Sequence, residues 1–319
     1  MSKNKKLYKD YCERETDIPL FLSYNWLNNT LGNEEWDVAI VMRGNEVIAS
    51  FVYYIRKSYG HKILGNPPLT PYLGPWITYP AGLKNSSRIN FEKEILTSLI
   101  QQLPPFDRFD LKFVPCISNW YPFFLKGFKG TTQYTYILKD LKNIELLYSN
   151  LNENIKRQIK KANKVLSVRK SDTINNLYNI KSNAAQINKV PIGLNKHQLT
   201  KIYSTCQKYN CGEILEAVDS NGKIYASILY VWDKNTSYYL FGGIEPENRK
   251  SGAISLLLWE AIKLSSEKVN EFNFEGSMIE SVEQYFRGFG GIQTPYFRIN
   301  KNNGFLFKLK DFFKEVIQS

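Results

Sequence analysis

The chain repeats itself, and this internal repeat limits the folds it can adopt more than any other feature. The sequence NEVIASFVYY at 45–54 matches GKIYASILYV at 222–231. Each follows a polar turn and an earlier apolar run, which is the pattern of a β-hairpin. Further along, FLKGFKG at 124–130 matches YFRGFGG at 285–291, while the offset between copies falls from 177 to 161 residues. Two similar strands arise easily by chance, but several landmarks in one order favour a duplicated domain.

Between these landmarks, each half predicts a helix followed by a strand. In the first half the helix covers about 88–103 and the strand 108–114, and in the second half they cover 251–267 and 271–275. The elements therefore run hairpin, strand, helix, strand, helix, strand in both halves. This order predicts mixed sheets with helices packed against them.

An amphipathic helix is predicted to join the two halves over 144–166. Apolar residues recur at helical spacing at positions 147, 151, 155, 159, 162 and 166. The cations on its other faces are Lys156, Arg157, Lys160, Lys161 and Lys164. Because no acid lies among them, they form either a solvated helix face or a phosphate-binding strip.

Positive charge is concentrated in one part of the chain. The net charge is +12 over 319 residues, and residues 151–210 carry twelve Lys or Arg against two acids, a net of +10. Solubility alone would spread the charge. The asymmetry therefore indicates a polyanionic partner such as phosphates, RNA or an anionic membrane surface.

What the sequence lacks makes several classes of protein unfavourable. No stretch approaches the ~20 apolar residues of a membrane-spanning helix, and no apolar segment follows the basic N-terminus, so we expect no secretion signal. The four cysteines are too scattered for a disulfide framework, which predicts a cytoplasmic location. His61 and His197 lie far apart and in unrelated contexts, so neither a metal site nor a Ser-His-Asp triad is expected.

The second half resembles the GNAT superfamily of N-acyltransferases. In that family a turn of the type R/Q-x-x-G-x-G/A opens a helix, and a later helix carries Y-x-K-x-G-F. Here the turn reads RKSGAI at 249–254 and the later helix YFRGFG at 285–290. Ile254 stands where Gly or Ala is usual, and Phe289 precedes Gly290 rather than following it. The tandem arrangement with a basic linker is similar to the Fem-type (FemAB-like) aminoacyltransferases and related duplicated GNAT proteins.

The resemblance implies an α/β (α+β) fold of two tandem GNAT-like domains, each a mixed, largely antiparallel sheet flanked by helices. The first domain, 1–143, would be degenerate and serve acceptor binding or scaffolding. The second domain, 144–319, would begin with the linker helix, bind the donor and hold the catalytic residues.

The turn at 249–254 is the expected donor site. A helix N-terminus presents unpaired N–H groups and a partial positive charge to a pyrophosphate, and a glycine allows close approach. The predicted donor-binding residues are Arg249, Lys250, Ser251, Gly252 and Ala253. We expect no metal and no permanently bound cofactor, with acyl-CoA, or aminoacyl-tRNA, as co-substrate. Alternatively, Gly252 is an ordinary loop glycine in front of a helix.

Acyl transfer to an amine requires a base, an oxyanion donor and an acid. By the resemblance, Tyr285 would be the acid. Glu275, at the end of a predicted strand, is a candidate base whose pKa burial would raise, and Glu245 is its competitor. Glu275 is equally suited to cap the turn that follows it. The first half has Phe124 in place of Tyr285 and lacks the turn motif, so we expect it to have lost the chemistry.

Two further segments are candidates for contact with substrate or membrane. The proline-rich segment 67–76 is either the wall of an acceptor cleft or an inert loop. The predicted substrate-binding residues are Thr70, Tyr72, Trp76, Lys156, Arg157 and Lys160. The apolar segment 304–319 is predicted to pack on the body of the protein, with peripheral membrane contact as the alternative.

Three functions fit these features. The leading one is an N-acyltransferase that moves an acyl group from acyl-CoA to an amine of a sugar, amino acid or cell-envelope precursor. The second is an aminoacyl-tRNA-dependent aminoacyltransferase of the peptidoglycan-bridge type, with residues 151–210 holding the tRNA. The third is a non-catalytic binding protein on a decayed GNAT fold.

Overall fold

The computed structural model describes residues 2–32, 34–189, 191–305 and 307. Within them the α-helices are α1 Lys3–Arg14, α2 Tyr24–Thr30, α3 Asn85–Gln101, α4 Tyr121–Leu125, α5 Ile144–Asn150, α6 Glu153–Asn163, α7 Asn175–Asn188, α8 Lys196–Tyr209, α9 Ala253–Ser266 and α10 Glu280–Arg287. The β-strands are β1 Trp36–Arg43, β2 Glu46–Ser58, β3 His61–Gly65, β4 Gly74–Ile77, β5 Arg108–Lys112, β6 Lys129–Leu138, β7 Ser167–Ser171, β8 Gly212–Val218, β9 Ile224–Trp232, β10 Thr236–Ile244, β11 Glu271–Asn273 and β12 Ile292–Asn302.

The chain folds into two compact units whose limits differ from the predicted domain boundaries. The second unit covers residues 134–294, and the first unit combines residues before 134 with residues 295–319. We predicted that the second domain begins at 144 and keeps the C-terminal residues. The C-terminal part belongs to the first unit because residues 298–302 of β12 pair with β5.

The first unit contains a mixed sheet with an aromatic core. Its strands lie in the order β1-β2-β3-β5-β12, and β4 pairs with β2. The β1–β2 and β2–β3 pairs are antiparallel and the β3–β5 pair is parallel. The predicted hairpin at 45–54 is confirmed, since Arg43 pairs with Glu46 across its turn. Phe51, Phe109 and Phe123 are fully buried, and the Phe51 ring contacts the rings of the other two.

The second unit contains a mixed, largely antiparallel sheet, as predicted. Strands β7 to β10 pair antiparallel in chain order, β11 lies parallel to β10, and β6 lies antiparallel to β11. The hairpin predicted at 222–231 is confirmed as part of β8 and β9. The helix predicted over 251–267 is α9, and the strand predicted over 271–275 is the shorter β11.

Helix α9 is the central helix of the second unit. Its sequence AISLLLWEAIKLSS is apolar on most faces, and a helix of that kind has to be covered on more than one side. One side packs on β8 to β11 and another on α6. Leu257, Leu258 and Ile262 are fully buried as a result.

The linker predicted as a single helix over 144–166 is two helices, α5 and α6. The break is at Leu151 and Asn152, whose backbones are extended, and the Asn152 side chain caps α6 by accepting a hydrogen bond from the Ile155 N–H. An asparagine at this position satisfies an otherwise unpaired N–H group, which favours a new helix start over continuation. The predicted apolar face is nevertheless confirmed, because all six of its residues are buried.

Three expectations concern segments or features beyond this core. The predicted C-terminal helix over 304–319 lies almost entirely outside the described residues. Among the residues that the structure does describe, no helix combines the length and apolar character needed to cross a membrane. In the same residues, no three His, Cys, Asp or Glu side chains gather in a way suited to a metal ion.

Asp110 should make a pH-dependent contribution to the stability of the first unit. Its carboxylate accepts two hydrogen bonds from Arg298 of β12, at 2.6 and 2.7 Å, and one from Arg108 at 2.6 Å. Burial by itself raises the pKa of this carboxyl, but the hydrogen bonds from the two arginines outweigh it and lower the pKa. The stabilisation is therefore present above the unfolded-state pKa of about 4 and is lost as pH falls through the lower folded-state pKa.

We expect Asp110→Asn to lower the free energy of unfolding by about 1–2 kcal/mol at pH 7, between the values for exposed and buried pairs. Urea unfolding of the two proteins at pH 7 and at pH 2.5 measures the difference, which should shrink at the acid pH. Asp10→Asn, at an exposed position of α1, is the control. An equal loss at both pH values would show that the charge of Asp110 is not the cause.

Candidate active site

The parallel pairing of β10 and β11 is short. Their parallel pairing covers residues 236–238 and 271–273. Beyond it, the pairing of β10 with β9 shifts register between Tyr239 and Phe241, and β11 ends. Glu275 follows with a left-handed backbone (φ 64°). The carboxyl ends of parallel strands are the place where ligands bind in many α/β folds.

A chain of three polar side chains lies beside these strands. The Ser255 hydroxyl, in the first turn of α9, donates to the Gln158 Oε1 of α6 at 2.7 Å. The same hydroxyl lies 2.7 Å from the Tyr285 hydroxyl of α10. Ser255 is completely buried. The predicted acid is thus connected through α9 to the basic helix α6.

Tyr285 keeps its proton at neutral pH. Burial raises the pKa of its phenol well above the ordinary value of 10, and the hydrogen bond with Ser255 offsets part of this rise. Burial also raises the pKa of the neighbouring Tyr239 to about 12. Both phenols are therefore hydrogen-bond donors rather than anions, and Tyr285 has a proton to give to a strongly basic leaving group.

Gly252 serves the packing of α6 against α9. Its backbone is left-handed (φ 83°), and a Cβ built on it would overlap the carbonyl oxygen of Gln158. Gly252 and Ala253 are buried, and the Ala253 N–H already donates to Ser251 Oγ at 3.1 Å. The beginning of α9 is therefore covered by α6, while Arg249 and Lys250 in front of it are exposed.

The cations of α6 form one strip along the helix, which we call the cationic strip. It is lined by Glu153, Lys156, Arg157, Lys160, Lys161 and Lys164. Glu153 pairs with Lys156 at 3.0 Å, and Lys161 Nζ donates to the Lys250 carbonyl at 2.7 Å. Cations at the last turn also stabilise the helix dipole, so part of the strip has a structural use.

The two candidate bases occupy different surroundings. Glu275 follows Asn273, whose side-chain Oδ1 accepts hydrogen bonds from the Glu275 N–H and from Thr135 Oγ1. Both carboxylate oxygens of Glu275 are buried. Glu245 directly follows β10, and its carboxylate accepts weak hydrogen bonds of 3.4 Å from Asn183 of α7.

The predicted acceptor-binding residues of segment 67–76 belong to the first unit. Thr70 and Tyr72 are each only 1% exposed. Thr70 accepts a hydrogen bond from the Trp26 indole at 3.0 Å, and the Tyr72 ring packs against Tyr296. Trp76 is partly exposed. The contacts of Thr70 and Tyr72 are therefore packing contacts of the core.

Sequence reasoning missed Gln158, Ser255 and Tyr239. Ser255 was detectable as a polar residue inside the apolar run AISLLLW, and Gln158 as the neutral side chain within the run KRQIKK. Neither signal points to a partner. The partners follow from the contact between α6 and α9, which are about a hundred residues apart in sequence.

Residues 149–287 match the family model of an acetyltransferase (GNAT) domain. The matched range contains α6, the turn before α9 and Tyr285. The predicted resemblance of the second half to the GNAT superfamily is thereby confirmed over these residues, and the chain contains an acyltransferase domain of this type. No curated protein matches the chain significantly in sequence.

Solved structures show the same fold over nearly the whole chain. FemX is similar with a TM-score of 0.64 at 11% identity, over 93% of this chain and 96% of that one. The C-terminal domain of a putative lysylphosphatidylglycerol synthetase from Agrobacterium fabrum gives 0.59 at 11% identity, over 94% and 92%. A tandem GNAT protein from the clavulanic acid biosynthesis pathway gives 0.50 at 10% identity, over 95% of both chains. The predicted fold of two tandem GNAT-like domains is confirmed.

Replacement of Gly252 by alanine tests the packing of α6 on α9. We expect Gly252→Ala to destabilise the protein by about 3 kcal/mol, because left-handed strain and an overlap with backbone add together. The matched control is Gly222→Ala, since Gly222 has nearly the same φ (80°) but nothing within 4 Å of its Cβ position. Urea unfolding should give a loss of only about 1 kcal/mol for the control. Equal losses would mean that α6 does not rest on Gly252.

Proposed function

We propose that the chain is an aminoacyltransferase whose acyl donor is an aminoacyl ester on RNA. The observation that carries this proposal is the position of α6 over the beginning of α9. A pyrophosphate bound at a helix N-terminus needs accessible N–H groups, whereas Gly252, Ala253 and Ser255 are buried. This arrangement supports a donor that is held elsewhere, by the cationic strip next to the turn.

The spacing of the cationic strip supports an extended polyanion. Lys156, Lys160 and Lys164 follow one another at intervals of four residues, which is about 6 Å along a helix. This is close to the distance between successive phosphates of a nucleic-acid strand, so each cation can face one phosphate. A single compact pyrophosphate would use only part of such a row. Arg157, Lys250 and Arg249 extend the positive surface towards the turn.

The properties of the Tyr285 phenol support an oxygen leaving group. Its pKa lies well above 10, whereas thiols have a pKa of about 8.5. The alkoxide released from a ribose ester is a stronger base than a thiolate and takes a proton more readily from such a phenol. Tyr285 is accordingly better matched to an RNA ester than to a thioester.

The proposed reaction balances with one acid and one base. The acceptor amine attacks the ester carbonyl, the new C–N bond forms, and the ester C–O bond breaks. The amine gives a proton to a carboxylate, for which Glu275 and Glu245 are the candidates, and the ribose oxygen receives a proton from Tyr285. The acceptor is proposed to be an amine of a small molecule or cell-envelope precursor, met in the cytoplasm where charged RNA is available. Of segment 67–76, Thr70 and Tyr72 make packing contacts in the core of the first unit, and the partly exposed Trp76 is the residue proposed to contact the acceptor.

The second candidate is transfer from acyl-CoA, with no permanently bound cofactor. Two observations favour it: the matching family model is described as an acetyltransferase, and the structurally similar tandem GNAT protein is named with reference to AcCoA. In this case α6 would have to move away from α9 for the donor to reach Gly252 and Ala253.

RNA binding should depend on the cationic strip. We expect the triple variant Lys156→Gln, Arg157→Gln, Lys160→Gln to bind a fluorescent aminoacyl minihelix RNA more weakly. The slope of log K against log salt is negative and should become less negative by about 2–3, since each neutralised phosphate releases counterion. Fluorescence anisotropy from 50 to 300 mM salt measures this slope.

The control for this experiment carries the same charge change on another helix. Lys3, Lys6 and Lys9 are exposed residues of α1, and their replacement by glutamine should leave the salt slope within about one unit of the wild-type value. Equal loss in both triple variants would mean that RNA binding is non-specific. Tight, salt-insensitive binding of acyl-CoA together with no RNA binding would replace the first proposal by the second.

Tyr285→Phe tests the proposed acid. We expect transfer of a radiolabelled amino acid from the minihelix to a panel of amines to fall by about 10²–10⁴-fold, the usual contribution of an acid or base. RNA affinity should be unchanged. Tyr230→Phe, which removes a buried phenol bonded to Glu213 at 2.7 Å, is the control. Undiminished transfer by Tyr285→Phe would exclude Tyr285 as the acid.

A further inference from the structure

Gln158 is the residue of α6 that connects its two sides. The neighbours Arg157 and Lys160 belong to the cationic strip on the outside of the helix. Gln158 is partly buried, its carbonyl oxygen touches the Gly252 position, and its side chain reaches Ser255. Through Ser255 it is one hydrogen bond away from Tyr285. A movement of α6 therefore changes the surroundings of the phenol directly.

The hydrogen bonds fix the direction of the Tyr285 proton. A hydroxyl has one proton to donate, and Ser255 donates its own to Gln158 Oε1. In the 2.7 Å contact of the two hydroxyls, Tyr285 must then be the donor and Ser255 the acceptor. The Tyr285 proton consequently points towards Ser255 of α9 and is engaged there.

Reversal of the Gln158 amide reverses the direction of both hydrogen bonds, from Gln158 to Ser255 and from Ser255 to Tyr285. If Nε2 faces Ser255, the amide donates to the Ser255 oxygen, and Ser255 donates to the Tyr285 oxygen. The Tyr285 proton is then free for an oxygen leaving group. The two amide orientations occupy nearly the same volume, so the change requires a side-chain rotation and no repacking of the core.

We propose that Gln158 is a positioning residue that sets the direction in which Tyr285 donates its proton, and that occupation of the cationic strip favours the outward direction. The second part rests on the proposed function, because it takes RNA as the molecule that occupies the strip. Tyr285 remains the catalytic residue, and Gln158 and Ser255 act through it. Such an arrangement would make the acid available only when the donor is bound.

The experiment follows one fluorine nucleus at the phenol. 3-Fluorotyrosine replaces Tyr285 alone, which lowers the phenol pKa, and the ¹⁹F resonance is followed against pH. The proteins compared are the otherwise wild-type chain, Gln158→Leu and Ser255→Ala. Gln293→Leu is the matched control, since Gln293 donates to a different phenol, Tyr136, at 3.0 Å. Each protein is titrated free and with an uncharged acceptor-stem RNA hairpin.

The two variants should move the pKa of residue 285 in opposite directions. In Gln158→Leu the Ser255 hydroxyl loses its acceptor and turns to the phenol oxygen, which stabilises the phenolate and lowers the pKa by about one unit, the size of one hydrogen bond. In Ser255→Ala no hydroxyl remains that can turn and donate to the phenolate, so the charged form loses its stabilising bond and the pKa rises by a similar amount. Gln293→Leu should leave it unchanged. RNA should shift the resonance in the wild-type background and not in Gln158→Leu, although both bind RNA equally.

Several results would overturn the inference. A Gln158→Leu protein whose pKa is unchanged, or rises as in Ser255→Ala, would show that Gln158 does not orient the hydroxyls. An RNA-induced shift that persists in Gln158→Leu would show that the strip acts by another route. If RNA does not bind the wild-type chain, the proposed donor and the coupling are both wrong, whereas opposite pKa shifts would still establish Gln158 as a positioning residue.

Discussion

The contact between the backbone of α6 and the first residue before α9 determines most of what the second unit can do. It exists because Gly252 has no side chain and accepts a left-handed backbone. With the helices this close, the Gln158 side chain reaches a buried serine, and the serine reaches Tyr285. The same contact buries the helix start that a phosphate would otherwise use. One glycine thus affects both the access of the donor and the environment of the acid.

The repeated motif shows how a covering helix changes the chemistry of an aromatic residue. Phe124 of the first unit and Tyr285 of the second occupy matching positions in the repeat, yet Phe124 is 57% exposed. In the second unit, α6 begins beside the motif, where the Asn152 N–H donates to the Gly288 carbonyl at 2.8 Å. A phenol beneath such a helix loses water, keeps its proton and gains defined partners. The first unit has an apolar ring at the matching position, and a ring without a hydroxyl has no proton to transfer.

The elements of the fold could be predicted from the sequence because they depend on local patterns. Both hairpins, α3, α9 and the apolar face of the linker follow from periodicity, and the repeat indicates their order. The break at Asn152 was missed because its apolar residues keep helical spacing across it. The site was harder to predict, since Tyr285 follows from a motif but its partners depend on contacts between distant helices. The motif predicted that Gly252 allows a phosphate to approach closely. In the structure its close contact is with the backbone of α6.

The strand pairing of β12 also has a consequence for how the protein is made. Residues 134–294 form a continuous unit, so all of its strands and helices are available as soon as that stretch has been synthesised. The first unit begins earlier in the chain but has to wait for residues 298–302, which complete its sheet beside β5. Until they arrive, β5 presents an unpaired edge, and such edges are prone to pair with other chains. The first unit is therefore begun first and completed last. Its aromatic core stays exposed to aggregation for longer than the core of the second unit.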